Sequence, residues 1–260
     1  MTERHNEFWN ERLARDWTSS GVGYQALGRP FNTWMYRVRR HVFQREVARL
    51  SPGRHTSVLD IGSGTGMYLD WWRAAGAGAV TGSDLTPAAV EQLRTHYAPM
   101  QIEQLDVTTG PGPFPAGAFD LVSCMDVLFH ITDDELYQAA LATIATVLRP
   151  GGAFVFSENF LNRPSDRSAH QVNRTREWIT TALAAHGMRL ERRRPMLVLM
   201  NAQVDAPFWW RKAWGGFLRA ATLTPVTGWA AGAALYPVER ALTRLLQESP
   251  TTELAVARRV

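Results

Sequence analysis

The chain has 260 residues, 45% of them hydrophobic and 20% charged, a composition that excludes a disordered, collagen-like or coiled-coil protein. Its single cysteine, Cys124, excludes an intramolecular disulfide, and the opening MTERHNEFWN lacks the apolar core of a secretion signal, so the expected location is cytoplasmic. The formal charge of +4 is unevenly placed, with 15 basic and seven acidic residues from Leu161 onward against 13 and 17 before it. Such an excess serves solubility first, and contact with an anionic lipid, a nucleic acid or a phosphorylated substrate second.

Residues 1–50 read as an N-terminal helical cap. Phe8, Leu13 and Trp17, then Trp34, Val38, Val42 and Val47, fall near helical spacing on either side of the glycine-rich break GVGYQALGRP. After Ser51, Pro52 and Gly53 the pattern changes. Strand-like runs at SVLDIG, AVTGSD, QIEQLDV, FDLVSCMDV, GAFVFSENF and PMLVLMN alternate with helical stretches over 68–75, 88–97, 135–148 and 176–186. Alternation of this kind predicts an α/β fold, a mostly parallel sheet with helices on both faces.

A last strand is expected at ELAVARR, 253–259. Residues 51–204 with 251–260 form the expected core, and 205–250 a Trp-rich helical insertion. The apolar run over 226–236 ends at Pro237, Glu239 and Arg240, short of the roughly 20 residues that span a bilayer.

The strongest local signal is VLDIGSGTGMYL, 58–69, a strand that ends in Asp60 and turns through Gly62, Ser63, Gly64, Thr65 and Gly66 into a helix. Glycines there admit a ligand close to the backbone, and the helix N-terminus offers N–H donors. The dinucleotide fingerprint G-x-G-x-x-G would need a small residue where Met67 stands. Asp60 would also repel a pyrophosphate, whereas it suits a ligand carrying an ammonium group. Asp84 and Asp106 end the next two predicted strands, at the edge where open α/β sheets bind ligands. Asp84 is equally well placed to cap the helix that follows.

These motifs, in this order, resemble the class I S-adenosylmethionine-dependent methyltransferases of the bacterial small-molecule type, over about 56–160. The resemblance implies a Rossmann-like, seven-stranded, mostly parallel sheet whose last two strands form an antiparallel hairpin. It implies S-adenosyl-L-methionine as cofactor, its methionine part on the loop from Asp60 through Gly66. Asp84, with Leu85 beside it, would then bind the ribose hydroxyls. Asp106 and Val107 would meet the adenine, and Met125 would stand beside the cofactor. No metal is needed.

Methyl transfer from a sulfonium is an in-line displacement, so alignment carries much of the catalysis and an oxygen nucleophile gains further from a base. Candidate bases are His130, just past the fourth strand, His170, before the 176–186 helix, and Glu158 at the end of the fifth strand. Asp126, Asn159 and Arg174 are the candidate acceptor contacts in the cleft, with Trp210 and Trp214 from the insertion. The structural alternatives are a solvent-facing loop histidine for His170 and a surface arginine for Arg174.

The aromatic stripe of the insertion suits a substrate lid, a dimer face or an interfacial helix at the inner membrane surface. The expected activity is methylation of an oxygen on a bacterial natural product, glycan or lipid-linked intermediate. The expected partner is a small-molecule acceptor, with no nucleic acid. N- or C-methylation by alignment alone, a NAD-dependent oxidoreductase, and a non-catalytic cofactor-binding protein at a membrane surface are the alternatives.

Overall fold

The computed structural model describes residues 10, 11, 17, 25–165 and 171–260. Helix α1 (Gly28–Ala48) leads into β1 (Ser57–Ile61), α2 (Met67–Ala74), β2 (Ala79–Asp84), α3 (Pro87–Tyr97), β3 (Ile102–Gln104) and β4 (Phe119–Cys124). The chain continues through α4 (Asp134–Val147), β5 (Leu148–Glu158), α5 (Arg176–Ala185), β6 (Met188–Pro195), α6 (Phe208–Ala221), α7 (Pro225–Leu245) and β7 (Glu253–Arg259). One seven-stranded sheet results, in the order β3-β2-β1-β4-β5-β7-β6. The first five strands pair in parallel and β7 runs antiparallel to both β5 and β6. Strand order reverses between β1 and β4, so the loops leaving these two strands diverge and open a crevice at their C-terminal ends.

Alternation along the strands builds two cores. Leu59, Ile61, Val122, Cys124, Phe154 and Phe156 face α4 and α5. Val58, Leu121, Ala153 and Val155 face α1 and α2, where Phe43 and Trp72 are fully buried. Each such large side chain contributes on the order of 1.5–3 kcal/mol by leaving water. Helix α4 opens on Asp133, whose Oδ1 accepts from the Glu135 and Leu136 amides at 2.8 and 3.0 Å, so the acidic run there is a helix start.

One element departs from the sequence reading. The edge strand β6 is MRLERRRP, and the apolar PMLVLMN that follows is irregular from Met196 onward. The amides of Val198, Leu199 and Met200 donate to the buried Glu239 carboxylate of α7, at 2.5, 2.8 and 3.3 Å, instead of to a neighbouring strand. Met196, Leu197 and Met200 are buried beneath the helices, which is why the run is apolar. An edge strand needs only one paired side, and charged side chains are common there, a pattern that apolar alternation does not reveal.

Helix α1 accounts for the Trp34 to Val47 spacing, while the expected helix around Phe8 and Leu13 lies outside the described residues. Helix α7 lies along α1, with Trp34 against Trp229 and Tyr236. Gly232 permits that approach, since a Cβ there would stand 2.4 Å from the Trp34 ring. Buried Glu46 of α1 accepts from Arg45 and Arg49 and from Arg192 of β6, tying the helix to the sheet edge.

Candidate active site

The crevice is lined first by the turn after β1. Gly62, Gly64 and Gly66 have φ of +73°, +54° and +81°, the left-handed region that only glycine enters freely. The Gly62 and Ser63 amides both donate to the Ser83 carbonyl at 2.8 Å, which anchors the turn to β2. Ser63 Oγ donates to the Asp60 carbonyl at 3.1 Å, and half-buried Thr65 completes the turn. Helix α2 then begins without a side-chain cap, leaving the N–H groups of its first turn available to a ligand.

Asp60 is buried. Its Oδ1 accepts from Ser123 Oγ at 2.5 Å, and Trp72 Nε1 in turn donates to that hydroxyl at 2.8 Å. Its Oδ2 has no hydrogen-bond partner among the described residues. Burial pushes the carboxyl up to about 7, with the Ser123 hydrogen bond opposing the shift. A ligand ammonium at Oδ2 would satisfy the orphaned oxygen and favour the carboxylate, so the pocket fits the methionine end of S-adenosylmethionine.

Asp84 is buried at the end of β2. Its Oδ2 accepts from the Gly64 amide at 2.9 Å, and its Oδ1 from the Thr86 amide and hydroxyl at 3.0 Å each. Thr86 itself caps α3, so Asp84 braces both the glycine turn and the helix entry. Burial raises its pKa against those hydrogen bonds. Both lone pairs of Oδ1 are thus engaged, while Oδ2 keeps one.

Asp106 Oδ1 accepts from the Thr108 amide and hydroxyl at 2.9 and 2.7 Å, and Val107 is buried beside it. Leu85 is half-buried, and Met125 packs within the α1-side core. One contact escaped the sequence reading. Trp17 Nε1 donates to the Gly64 carbonyl at 3.1 Å, and its ring lies 4.5 Å from that of His96. No spacing rule links a tryptophan in the N-terminal segment to a loop 47 positions later.

Across the crevice, Asp126 holds φ +60°, a backbone uncommon outside glycine that aspartate adopts more readily than most residues. Ser157 Oγ accepts from the Asp126 amide at 2.7 Å and lies 3.0 Å from its Oδ1. Buried Arg39 of α1 pairs with Asp126 Oδ2. Burial is the largest single influence and opposes the Arg39 charge, but Asp126, Tyr68 and Tyr36 together outweigh it, so the pKa is raised and Arg39 stays cationic. The Tyr68 phenol, also buried, is pushed well up by desolvation and by the charge of Asp126. Arg39, Tyr68 and Ser157 are the polar neighbours that sequence alone did not single out.

The other candidates are placed as follows. His130 is half-buried at the end of the 3-10 turn Leu128–His130, four residues after Asp126, its ring 4.7 Å from that of Phe129. His170 lies outside the described residues. Asn159 is buried, donates to Asn173 Oδ1 at 2.8 Å and leaves its own Oδ1 without a partner. Glu158 is 0% exposed on the α4 side of the sheet, with Tyr137 Oη 3.3 Å from Oε1 and the Asn159 amide donating to Oε2 at 3.0 Å. Burial lifts its pKa to about 8.

Arg174 turns inward rather than outward. Its guanidinium donates to Asp134 Oδ1 and to the Ile131 carbonyl and stacks 4.1 Å over Tyr137. Trp210 and Trp214 stack on each other at 5.6 Å on α6, and Trp214 Nε1 donates to the Leu199 carbonyl at 2.7 Å. The structure thus brings Asp60, the glycine turn and Asp84 together, with Asp126 across from them, and it encloses Glu158 and Arg174 in the α4 side.

Comparison with known proteins agrees with this geometry. Residues 58–152 match the family model described as a methyltransferase domain. A tRNA U34 carboxymethyltransferase from Tolumonas auensis is 32% identical over 153 residues, 50% of this chain and 42% of the relative. A ubiquinone biosynthesis O-methyltransferase from Albidiferax ferrireducens is 33% identical over 122 residues, 45% of this chain and 46% of the relative. The chain therefore spans under half the length of these curated relatives. The crystal structure of an S-adenosylmethionine dependent methyltransferase from Mesorhizobium loti superposes with a TM-score of 0.51 at 20% identity, over 80% of this chain and 92% of that one.

One expectation is corrected. Relatives named for a tRNA stand among the matches, so the exclusion of a nucleic-acid partner does not hold. Motif order and sheet topology agree with the match of residues 58–152 to a methyltransferase domain.

Proposed function

We propose that the chain transfers a methyl group from S-adenosylmethionine to an oxygen of a small-molecule acceptor, a natural product, glycan or lipid-linked intermediate. The observation that carries this reading is the buried Asp60 with its unpartnered Oδ2, set at the foot of a turn with three left-handed glycines. When bound, the cofactor supplies an electrophilic methyl on a sulfonium.

Asp60 and the first turn of α2 would hold its methionine end, Asp84 its ribose and Asp106 with Val107 its adenine. Asp126, fixed by Ser157 and Arg39, orients the acceptor hydroxyl opposite the glycine turn. His130 takes the proton, being the half-buried imidazole that follows Asp126 in the loop after β4. Glu158 is the weaker base because both its oxygens are engaged away from the crevice.

The relatives' names and the cationic surface of α1 and α7, where Arg240 and Arg244 meet His41, favour an RNA acceptor as a second reading. Calorimetric titration with S-adenosylmethionine, S-adenosylhomocysteine and NAD tests the cofactor. Micromolar binding of the first two is expected, and NAD binding without them would overturn the proposal. Methyl-transfer assays that include tRNA beside small phenols and glycans then separate the two acceptor classes.

A further inference from the structure

Helix α7 is apolar on two sides: Ala231, Leu235 and Tyr236 pack on the α1-side core, and a second apolar row faces outward. Its buried positions are Gly228, Gly232, Glu239 and Thr243. Its exposed positions include the apolar Val226, Ala230, Ala234, Pro237, Ala241 and Leu245, which recur at intervals of three and four, beside exposed Thr227 and Arg244. Helix α6 repeats the pattern with exposed Trp209, Ala213, Gly216, Phe217 and Ala220. Phe208, Trp209, Leu223 and Val226 are 71%, 68%, 80% and 77% exposed, so water touches most of each side chain. A contiguous apolar surface of this kind marks a place where something other than water belongs.

Charge identifies the occupant. From 206 to 238 the sequence has no acidic residue and three basic ones, Arg211, Lys212 and Arg219. All three are exposed on α6 and none pairs with a described carboxylate. A second copy of the chain facing this surface across a two-fold axis would bring the same cations with no anions to meet them. An anionic bilayer supplies what is missing, negative headgroups for the cations and an acyl boundary for the apolar faces. Beside α6, a cavity of about 210 Å³ is lined by these three cations together with Gln203 and Asn201, a volume and charge suited to a phosphate headgroup.

The turn between the two helices is built for a dry setting. Thr224 and Thr227 form a reciprocal capping box, each amide to the other's hydroxyl at 3.2 Å, and Thr222 Oγ1 donates to the Leu218 carbonyl at 2.8 Å. The hydroxyls of Thr222, Thr224 and Thr227 are therefore satisfied internally while Leu223, Pro225 and Val226 are exposed. No described helix is long and apolar enough to cross a membrane, so the hairpin lies along the surface.

We propose that α6 and α7 form an interfacial hairpin that seats this protein on an anionic membrane surface, with the Leu223–Val226 tip inserted. The inference goes beyond the methyl-transfer reading and does not depend on it. Helix α7 packs on α1, which carries Arg39 to the crevice, so the seated surface and the acceptor side share one helix.

Flotation of the full chain with unilamellar vesicles of phosphatidylcholine, with and without phosphatidylglycerol, tests it directly. Binding is expected with phosphatidylglycerol, weakening in pure phosphatidylcholine and as salt rises. Trp209→Ser with Val226→Ser, both at exposed positions, should weaken vesicle binding by about tenfold or more with an unchanged thermal melt. Arg211→Gln with Lys212→Gln should remove the preference for phosphatidylglycerol and leave residual apolar binding. The proposal is overturned if the wild type floats with neither vesicle, or if the serine pair floats like the wild type. It is equally overturned if sedimentation shows an oligomer that Leu223→Asp dissociates while vesicles bind nothing, because the face would then belong to a second copy.

Discussion

Gly62→Ala is a sharp test of how the crevice is built. At φ +73° an alanine costs about 1 kcal/mol relative to glycine. Its Cβ would lie 2.3 Å from Val127 Cγ2, where carbon atoms need roughly 3.5–4.0 Å. Val127 is β-branched and stiff, so relief requires an off-rotamer side chain or a shift of the loop after β4, worth about 1–3 kcal/mol. The expected destabilisation is therefore about 2–4 kcal/mol.

The clash is specific to the Val127 methyl, since the next nearest atom, Val127 Cβ, is 3.6 Å away. Val127→Ala should thus restore most of the loss in the double variant, leaving the backbone penalty and the cost of Val127→Ala itself. Urea unfolding of the four proteins measures the coupling, expected at about 1–3 kcal/mol in favour of the double variant. Additivity within about 0.5 kcal/mol, or a Gly62→Ala loss below about 1 kcal/mol, would refute the described approach of the glycine turn to the loop that carries Asp126.

Three further outcomes are expected. Asp84→Ala should weaken S-adenosylmethionine binding by about 1–3 kcal/mol, and calorimetry showing unchanged affinity would remove Asp84 from the site. In the wild type, S-adenosylmethionine should bind more tightly as pH rises through about 7, because Asp60 ionises there and meets the ligand ammonium. Asp60→Asn should bind weakly with no such dependence, and parallel pH profiles for the two proteins would count against that contact.

Glu158 has a folded pKa near 8 against an ordinary value of 4.5, so folding takes up a proton between those limits and its contribution to stability falls as pH rises through that window. Glu158→Gln stays neutral throughout, and its melting temperature should decline less than that of the wild type between about pH 5 and pH 9. Equal declines would show that Glu158 is ionised in the folded protein.

The cofactor half of the site was legible in the sequence because its parts are local. A strand, a glycine turn and a helix start lie within a dozen residues, and Asp84 and Asp106 each end an apolar run, so spacing alone orders them along one sheet edge. The acceptor half was less legible. Arg39 reaches Asp126 across 87 positions, Ser157 across 31, and Trp17 reaches Gly64 across 47, distances that no periodicity encodes. Glu158 and Arg174 have the residue types of a site, yet strand alternation and the Asp134 pairing turn them toward α4.

Sequence by itself determined the α/β class, the order of the cofactor motifs and most of the helices, since period and turn chemistry are written residue by residue. It misassigned the sixth strand because an apolar run can be buried under helices as well as in a sheet, and Glu239, some forty positions onward, decides between the two. Only the tertiary structure showed that the insertion turns its apolar faces outward. Which side of an amphipathic helix meets water depends on what the opposite side packs against, and here that partner is α1.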